Sequence, residues 1–283
     1  FYIVDSFGSI KKNDLIKLYS WVEGNLSYDI SLGYHAHNNL QSAFSNAQLF
    51  IELEKNRNII IDSSIFGMGR GSGNLNTELF IDYLNTTFGY SYKKEPILHA
   101  MDDVINNIYK EKQWGYSMPH YLSAVNNCHP NYATYLAEKD TLKINHINII
   151  LNQIENNKKN SFNKEYIEKL YGAFQSFHID DEAHLNDLRE KIKGKNIVLL
   201  ASGHSLLEEK EKLLKHFNGD NIIMSVNFIP KNLECDFVFY SNLKRFEDNT
   251  KYFLENLILT SNISRELGNL AKYIINYNSL LNG

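Results

Sequence analysis

The segment LGYHAHNNLQ, residues 32–41, sets His35 and His37 two apart at the end of an apolar run, with Asn38 and Asn39 directly after them. On an extended strand, residues two apart project from the same face, about 6.6 Å apart along the chain. His35 and His37 would then stand together while Ala36 faces a helix layer. Two neutral imidazoles presented side by side can bind one divalent ion. The alternative is a polar strand end whose rings are hydrogen-bonded and inert, because short motifs match by chance often.

Two neighbouring segments end in the same way. Asp5-Ser6-Phe7-Gly8-Ser9 closes the run FYIVD, and GMGRGSGN (67–74) follows NIIIDSSIFG. Each has a purely structural reading: Asp5 and Ser6 as helix caps, and the glycine run as a tight turn. Between the three runs lie KKNDLIKLYSWVEG and LQSAFSNAQLFIELEKN, whose apolar residues recur at three and four. Strand, helix, strand, helix, strand predicts parallel βα units, and in parallel barrels the reactive groups sit at the carboxyl ends of the strands. The three polar endings therefore belong on one rim, where the N–H groups of loop 69–74 would hold a carboxylate. Arg70 would assist them or face solvent.

From about 75 to 193 the pattern is helical, with ENNKKNSFN as an exposed loop. After Gly194 it changes again: NIVLLASGHSLLEEKEKLLKHF reads as strand, turn and amphipathic helix, followed by strands at NIIMSVNFI, DFVFYS and LILTS. The turn at Gly203 and Ser205 has the geometry that presents backbone amides to phosphate, although it falls short of G-x-G-x-x-G. Asn227, Ser241, Asn242, Lys244 and Arg245 fall near strand ends. The expected class is α/β, in three parts: the strands and helices of a helix-covered sheet or of a (β/α)8 barrel wall (1–92), a helical extension (93–193) and a partial Rossmann-like domain (194–283).

The chain has 283 residues and a formal net charge of −4, so it lacks the basic excess that nucleic-acid binding needs. No apolar run reaches the roughly 18 residues that span a bilayer and no signal peptide opens the chain, which reads as cytoplasmic. Cys128 and Cys235, the only two cysteines, are far apart and fit buried thiols. His99, His129, His146, His178 and His184 lie in helical segments without a mate at metal spacing and are assigned to structure. Phe1 opens directly into a strand and YNSLLNG stops just after a helix-like pattern, so the chain is read as an internal piece of a longer protein.

Together, VDSFGS, GYHAHNN and IDSSIFGMGRGSGN resemble the later barrel strands of the 4-hydroxy-2-oxovalerate aldolases, in the wider group of hydroxymethylglutaryl-CoA lyases and isopropylmalate synthases. The stretch from ILHAMDDV to NYATYLAEK is similar to the aldolases' helical region, so the resemblance spans about 1–155. It implies that His35 and His37 hold Mn2+ or Mg2+, that Asn74 lies at the metal, that Ser6 contacts substrate and that Tyr116 lines the pocket, although SMPHY departs from the aldolase pattern. Asp5 and Arg70 join Ser6 as substrate-contacting candidates on the same rim. The family's third ligand, an Asp beside an Arg, and the aldolases' base would lie before Phe1. The C-terminal part resembles phosphate-binding domains of glycosyltransferase-like and pterin pyrophosphokinase-like proteins.

The chemistry has its own logic. Breaking a carbon–carbon bond next to a 2-oxo acid leaves an enolate, and a cation held by neutral imidazoles keeps most of its charge to stabilise it. Two histidines and a carboxylate with open positions suit Mn2+ or Mg2+, whereas a closed tetrahedral shell suits structural zinc. The expected activity is a metal-dependent lyase acting on a small 2-oxo acid that is a surface-polysaccharide precursor. A nucleotide or sugar phosphate is expected at the C-terminal domain, and the protein is expected to be a homo-oligomer. A Claisen-type synthase joining an acyl-CoA to a 2-oxo acid, and an inactive barrel scaffolding the C-terminal domain, are the competing readings.

Overall fold

The computed structural model describes residues 1–283 except 54–56, 209, 216–219, 232, 250–254, 269 and 278–283, together with the side chains of 205, 207 and 210. The chain forms two compact units, the first of residues 1–138 and 144–164, the second of 139–143 and 165–283. The helices of 93–193 are therefore divided between the units. Among the described residues, no helix is long and apolar enough to cross a membrane.

The first unit is built on a sheet of three parallel strands, β1 (Tyr2–Asp5), β2 (Leu32–Ala36) and β3 (Ile59–Ile61), in sequence order. Helices α1 (Lys12–Glu23) and α2 (Ala43–Leu53) make the crossovers. Val4 pairs with His35, Asp5 with Ala36 and Tyr34 with Ile61. Side chains alternate across a strand, which gives the sheet two different faces. Ile3, Leu32, Tyr34 and Ala36 pack with Leu15, Tyr19, Val22, Ala47 and Phe50 of the helices. On the other face Tyr2, Val4 and Ile60 are 40%, 50% and 45% exposed. Phe50 is central to the helix side, stacked on Tyr34 at 5.2 Å and edge-on to Tyr19 at 6.0 Å.

After β3 comes a 3-10 turn, Ile65–Gly67, then α3 (Thr77–Phe88). A helical run follows as α4 (Glu95–Ala100), a π-helical segment Met101–Ile105 and α5 (Asn106–Glu111). Helices α6 (Met118–Val125), α7 (Pro130–Glu138) and α8 (Ile144–Asn152) bury Leu122, Tyr132, Leu136, Ile147 and Ile150. Cys128 is buried and free, and burial pushes its thiol up to about 12. Cys235, in the second unit, is free and only partly buried.

In the second unit, α9 (Lys164–Gln175) and α10 (Glu182–Ile192) precede a five-stranded parallel sheet. Its strands are β4 (Asn196–Leu200), β5 (Asn221–Val226), β6 (Phe237–Tyr240), β7 (Leu257–Thr260) and β8 (Tyr273–Ile275), again in sequence order. Short helices α11 (Ser205–Glu208) and α12 (Lys210–Leu214) follow β4. Helices α13 (Leu243–Asn249) and α14 (Ser261–Leu267) cover one face through Leu243, Phe246 and Ile263. Leu188 of α10 packs on the other, against Ile222, Phe237, Ile258 and Tyr273. Parallel sheets need cover on both faces. β8 was not foreseen from the sequence; its outer edge is closed by α10, where the Ile274 N–H donates to His184 Nδ1 at 3.0 Å.

Truncating Phe50 to Ala leaves a cavity between the first sheet and its helices. The expected cost is about 3–5 kcal/mol, read as a lower urea midpoint for the first unit's unfolding.

Candidate functional site

Three loops meet at the carboxyl rim of the first sheet, and the buried side chain of Asn39 joins them. Its amide N–H donates to the Phe7 carbonyl at 2.9 Å, and its Oδ1 accepts the Ser72 N–H at 3.0 Å. The Asn38 N–H donates to the Gly73 carbonyl at 2.8 Å, and Asn38 Oδ1 accepts the Ala43 N–H at the start of α2. The two amides after the histidines are thus rim fasteners: one ties the loops after β1, β2 and β3 together, and the other ties a loop to a helix.

The glycine loop is folded tightly. Gly73 has φ +83°, and a Cβ there would stand 2.1 Å from the Gly67 carbonyl oxygen, so only glycine fits. The N–H groups of Ser72, Gly73 and Asn74 are all taken by protein acceptors, the first by Asn39 Oδ1 of the loop after β2 and the others by the Arg70 and Gly67 carbonyls. The expectation that the N–H groups of loop 69–74 hold a carboxylate is corrected for these three, since the tight turn and the Asn39 carboxamide take their donors.

His35 and His37 share one face as expected, with ring centroids 5.4 Å apart and planes at 83°. His35 Nδ1 lies 3.2 Å from Asp62 Oδ2. Burial lowers the His37 pKa, with smaller contributions from the charges of His35 and Arg70, and this favours the neutral, ligand-competent ring. Asn74 is paired by its backbone with His37. Its side-chain N–H donates to the Met68 carbonyl at 3.1 Å, while its Oδ1 is buried without a protein partner. A buried carbonyl oxygen normally has a donor or a ligand. Two imidazoles and an unpartnered carboxamide oxygen at one rim fit a hard or borderline divalent cation. Among the described residues, no three His, Cys, Asp or Glu side chains cluster as a metal site.

The other candidates are distributed differently. Asp5 stands on the helix side, opposite the histidines; it is 4% exposed, and its two oxygens accept the Ser9 and Ile10 N–H groups at 2.9 and 3.0 Å. Burial raises its pKa against those bonds. Ser6 is exposed, and its carbonyl accepts a 3.4 Å bond from Arg70 Nη2. Arg70 is exposed beside the site, close enough to lower the pKa of His129, after burial as the larger cause. Tyr116 is 56% exposed, its hydroxyl 3.8 Å from the Met118 sulfur.

Several residues here were not singled out from the sequence. Asp62 ends the third strand in IDSS, and its position after an apolar run was the available signal. His120 is bonded through Nδ1 to Ser117 Oγ at 2.9 Å, and its Cδ2 would lie 3.7 Å from a Cβ on Gly71; nothing in its local pattern indicated this. Trp114 donates from Nε1 to the Phe66 carbonyl at 2.8 Å, holding the turn before the glycine loop.

In the second unit the polar strand ends are occupied by structure. Asn227, at φ +60°, accepts the Ser241 and Asn242 N–H groups on Oδ1 at 2.9 and 3.1 Å. Asn242 donates to the Asp140 carbonyl, and Lys244 pairs with Asp140 at 2.7 Å. The Gly203 N–H bonds back to Ala201, and the Ser205 side chain lies outside the described residues.

Residues 1–102 match the HMGL-like family model. That segment is similar to the HMGL-like family. The 4-hydroxy-2-oxovalerate aldolase of Pseudoalteromonas translucida is 32% identical over 107 residues, 37% of this chain and 30% of that protein. The enzyme of the same name from Geobacillus genomosp. 3 is 37% identical over 84 residues, 30% of this chain and 23% of its own length. The chain thus spans less than a third of these relatives. A crystal structure of the N-terminal domain of a protein described as an aldolase, from Bacteroides vulgatus, shares 31% identity over 51% of this chain and 46% of its own, with a TM-score of 0.45. In this HMGL-like segment, β1 to β3 are neighbouring strands of a TIM-type barrel wall.

Asn39→Ala removes a buried donor and acceptor that tie two loops together. It should destabilise the first unit by about 1–3 kcal/mol and speed amide exchange in loop 67–74, as measured by hydrogen exchange with mass spectrometry.

Proposed function

We propose that this chain carries the cation-holding rim of a divalent-metal-dependent carbon–carbon lyase that cleaves or forms 4-hydroxy-2-oxo acids. The observation that carries the reading is the pair of His35 and His37 on one face at the rim of a segment similar to the HMGL-like family, with Asn74, paired by its backbone to His37, leaving its buried Oδ1 unpartnered. The relatives' names support the pyruvate-aldolase type.

In this reading His35 and His37 hold the ion through neutral ring nitrogens and Asn74 through its carboxamide oxygen, so the protein contributes no neutralising charge from these three groups. When bound, a divalent cation supplies Lewis-acid stabilisation of the negative charge that builds on the 2-oxo oxygen as the C3–C4 bond breaks. Arg70, at the mouth of the same rim, attracts the substrate carboxylate. The Asn39 and Gly73 contacts hold the loops still, so these groups are placed before substrate arrives. Mn2+ and Mg2+ suit the donor set, which has no thiolate.

The test follows both metal and product. In the full-length protein that contains this chain, pyruvate should be released from 4-hydroxy-2-oxovalerate with Mn2+ present and not after chelation, whereas the 283-residue chain alone should not turn over; His35→Ala in the full-length protein should abolish Mn2+ binding in calorimetry while leaving the circular dichroism spectrum intact. Free CoA produced from acetyl-CoA and a 2-oxo acid would replace the lyase reading with the Claisen one. Unchanged Mn2+ content in His35→Ala would support a scaffold instead.

A further inference from the structure

Resting on the cation-holding reading, we propose that Asp62 is a positioning residue for His35: it keeps the ring proton on Nδ1 and so presents Nε2, with its lone pair, as the ligating atom. The sheet register builds this arrangement. The Asp62 N–H donates to the Tyr34 carbonyl at 3.1 Å, which extends the β2–β3 pairing by one residue and brings Asp62 beside His35. Asp62 Oδ2 then lies 3.2 Å from His35 Nδ1. The other oxygen, Oδ1, lies 3.4 Å from the Tyr2 hydroxyl.

Tyr2 reaches across β2 because residue 33 has no side chain. A Cβ on Gly33 would stand 2.4 Å from the Tyr2 ring. The absence of a side chain on β2 thus lets a phenol of β1 bond a carboxylate of β3, with the carboxylate's second oxygen left for the imidazole. The row Tyr2, Asp62, His35 runs over the open face of the sheet, the face that also carries His37.

Chemistry fixes the direction of the bond. A carboxylate accepts hydrogen bonds and does not donate them, so the imidazole must donate from Nδ1. A neutral imidazole has one N–H, and Nε2 is then the acceptor. Metal-binding histidines commonly have the remote nitrogen held in this way, and loss of the partner weakens metal affinity about 10–100-fold. The side chains of His35 and Asp62 are 29% and 43% exposed, so the pair lies where an ion can reach it. Nothing in the sequence pattern or the relatives' names assigns Asp62 this role.

The decisive measurement needs no metal. Long-range nitrogen–proton spectra of the 15N-labelled, metal-free chain at pH 8, with the His35 signals assigned by their absence in His35→Gln, report the tautomer directly. The wild type should show His35 as the Nδ1–H form. Asp62→Ala should move it toward Nε2–H and weaken Mn2+ binding about 10–100-fold. Asp62→Asn keeps the side chain's shape. With the Tyr2 hydroxyl donating to its oxygen, its amide N–H faces Nδ1 and should drive the same shift even where the alanine variant folds poorly. An unchanged tautomer in the variants, or a shifted tautomer with unchanged Mn2+ affinity, overturns the assignment. With Mn2+ affinities measured in the full-length protein, a wild type that shows the shift in its variants yet binds no Mn2+ supports the Asp62–His35 pairing and overturns the cation-holding reading, so the two failures are distinguishable.

Discussion

The carboxamide of Asn39 is the contact on which the rim depends. It is almost wholly buried and uses its donor on the loop after β1 and its acceptor on the loop after β3, while belonging itself to the loop after β2. Loops at strand ends tend to be mobile because their backbone groups face water. Here one side chain replaces that water on both neighbouring loops. His37 and Asn74, whose backbones are paired across the same junction, keep their relative positions because those loops cannot separate without exposing an unbonded amide.

The first sheet divides its labour by face. The side that carries Ile3, Tyr34 and Ala36 is closed by helices, whereas the side that carries Tyr2, Val4, His35 and Ile60 is open. Alternation along a strand makes that assignment residue by residue, and it explains why two acids at strand ends, with only β2 between them, have different roles. Asp5, paired with Ala36, faces the helices and holds the turn that follows it. Asp62 faces the histidines. The chemistry of a carboxylate is the same at both positions; the parity of its place on the strand decides what it touches.

The second unit shows what polar residues at strand ends do when they serve the fold. Asn227 ties the end of β5 to the end of β6, and a chain of amides from Asn262 to Gln175 and the Tyr171 hydroxyl stays buried and bonded. These groups resemble a binding site in the sequence because both uses need polar side chains after apolar strands. They differ in whether any hydrogen-bonding capacity is left over. Asn74 Oδ1 has capacity unspent, and Asn227 Oδ1, which accepts two backbone N–H groups, does not.

Much of the architecture was legible in local pattern. Apolar runs alternating with three- and four-residue periodicity marked the βα units, the break near Gly194 marked the approach of the second sheet, and the two-residue spacing of His35 and His37 placed both rings on one face. Local periodicity carries that information because strand and helix geometry are set by neighbours in the chain. The division of the helices between two units, the strand Tyr273–Ile275, the use of Asn39 as a fastener and the placement of Asp5 away from the histidines were decided by tertiary structure. Each depends on what lies opposite a residue across a sheet or loop, at separations of about thirty residues or more for Asn39 to Ser72 and for Tyr2 to Asp62. The sequence determined which chemical groups were present and which side of a strand they took. Only the folded chain determined which of them were already bonded and which were left free to bind something else.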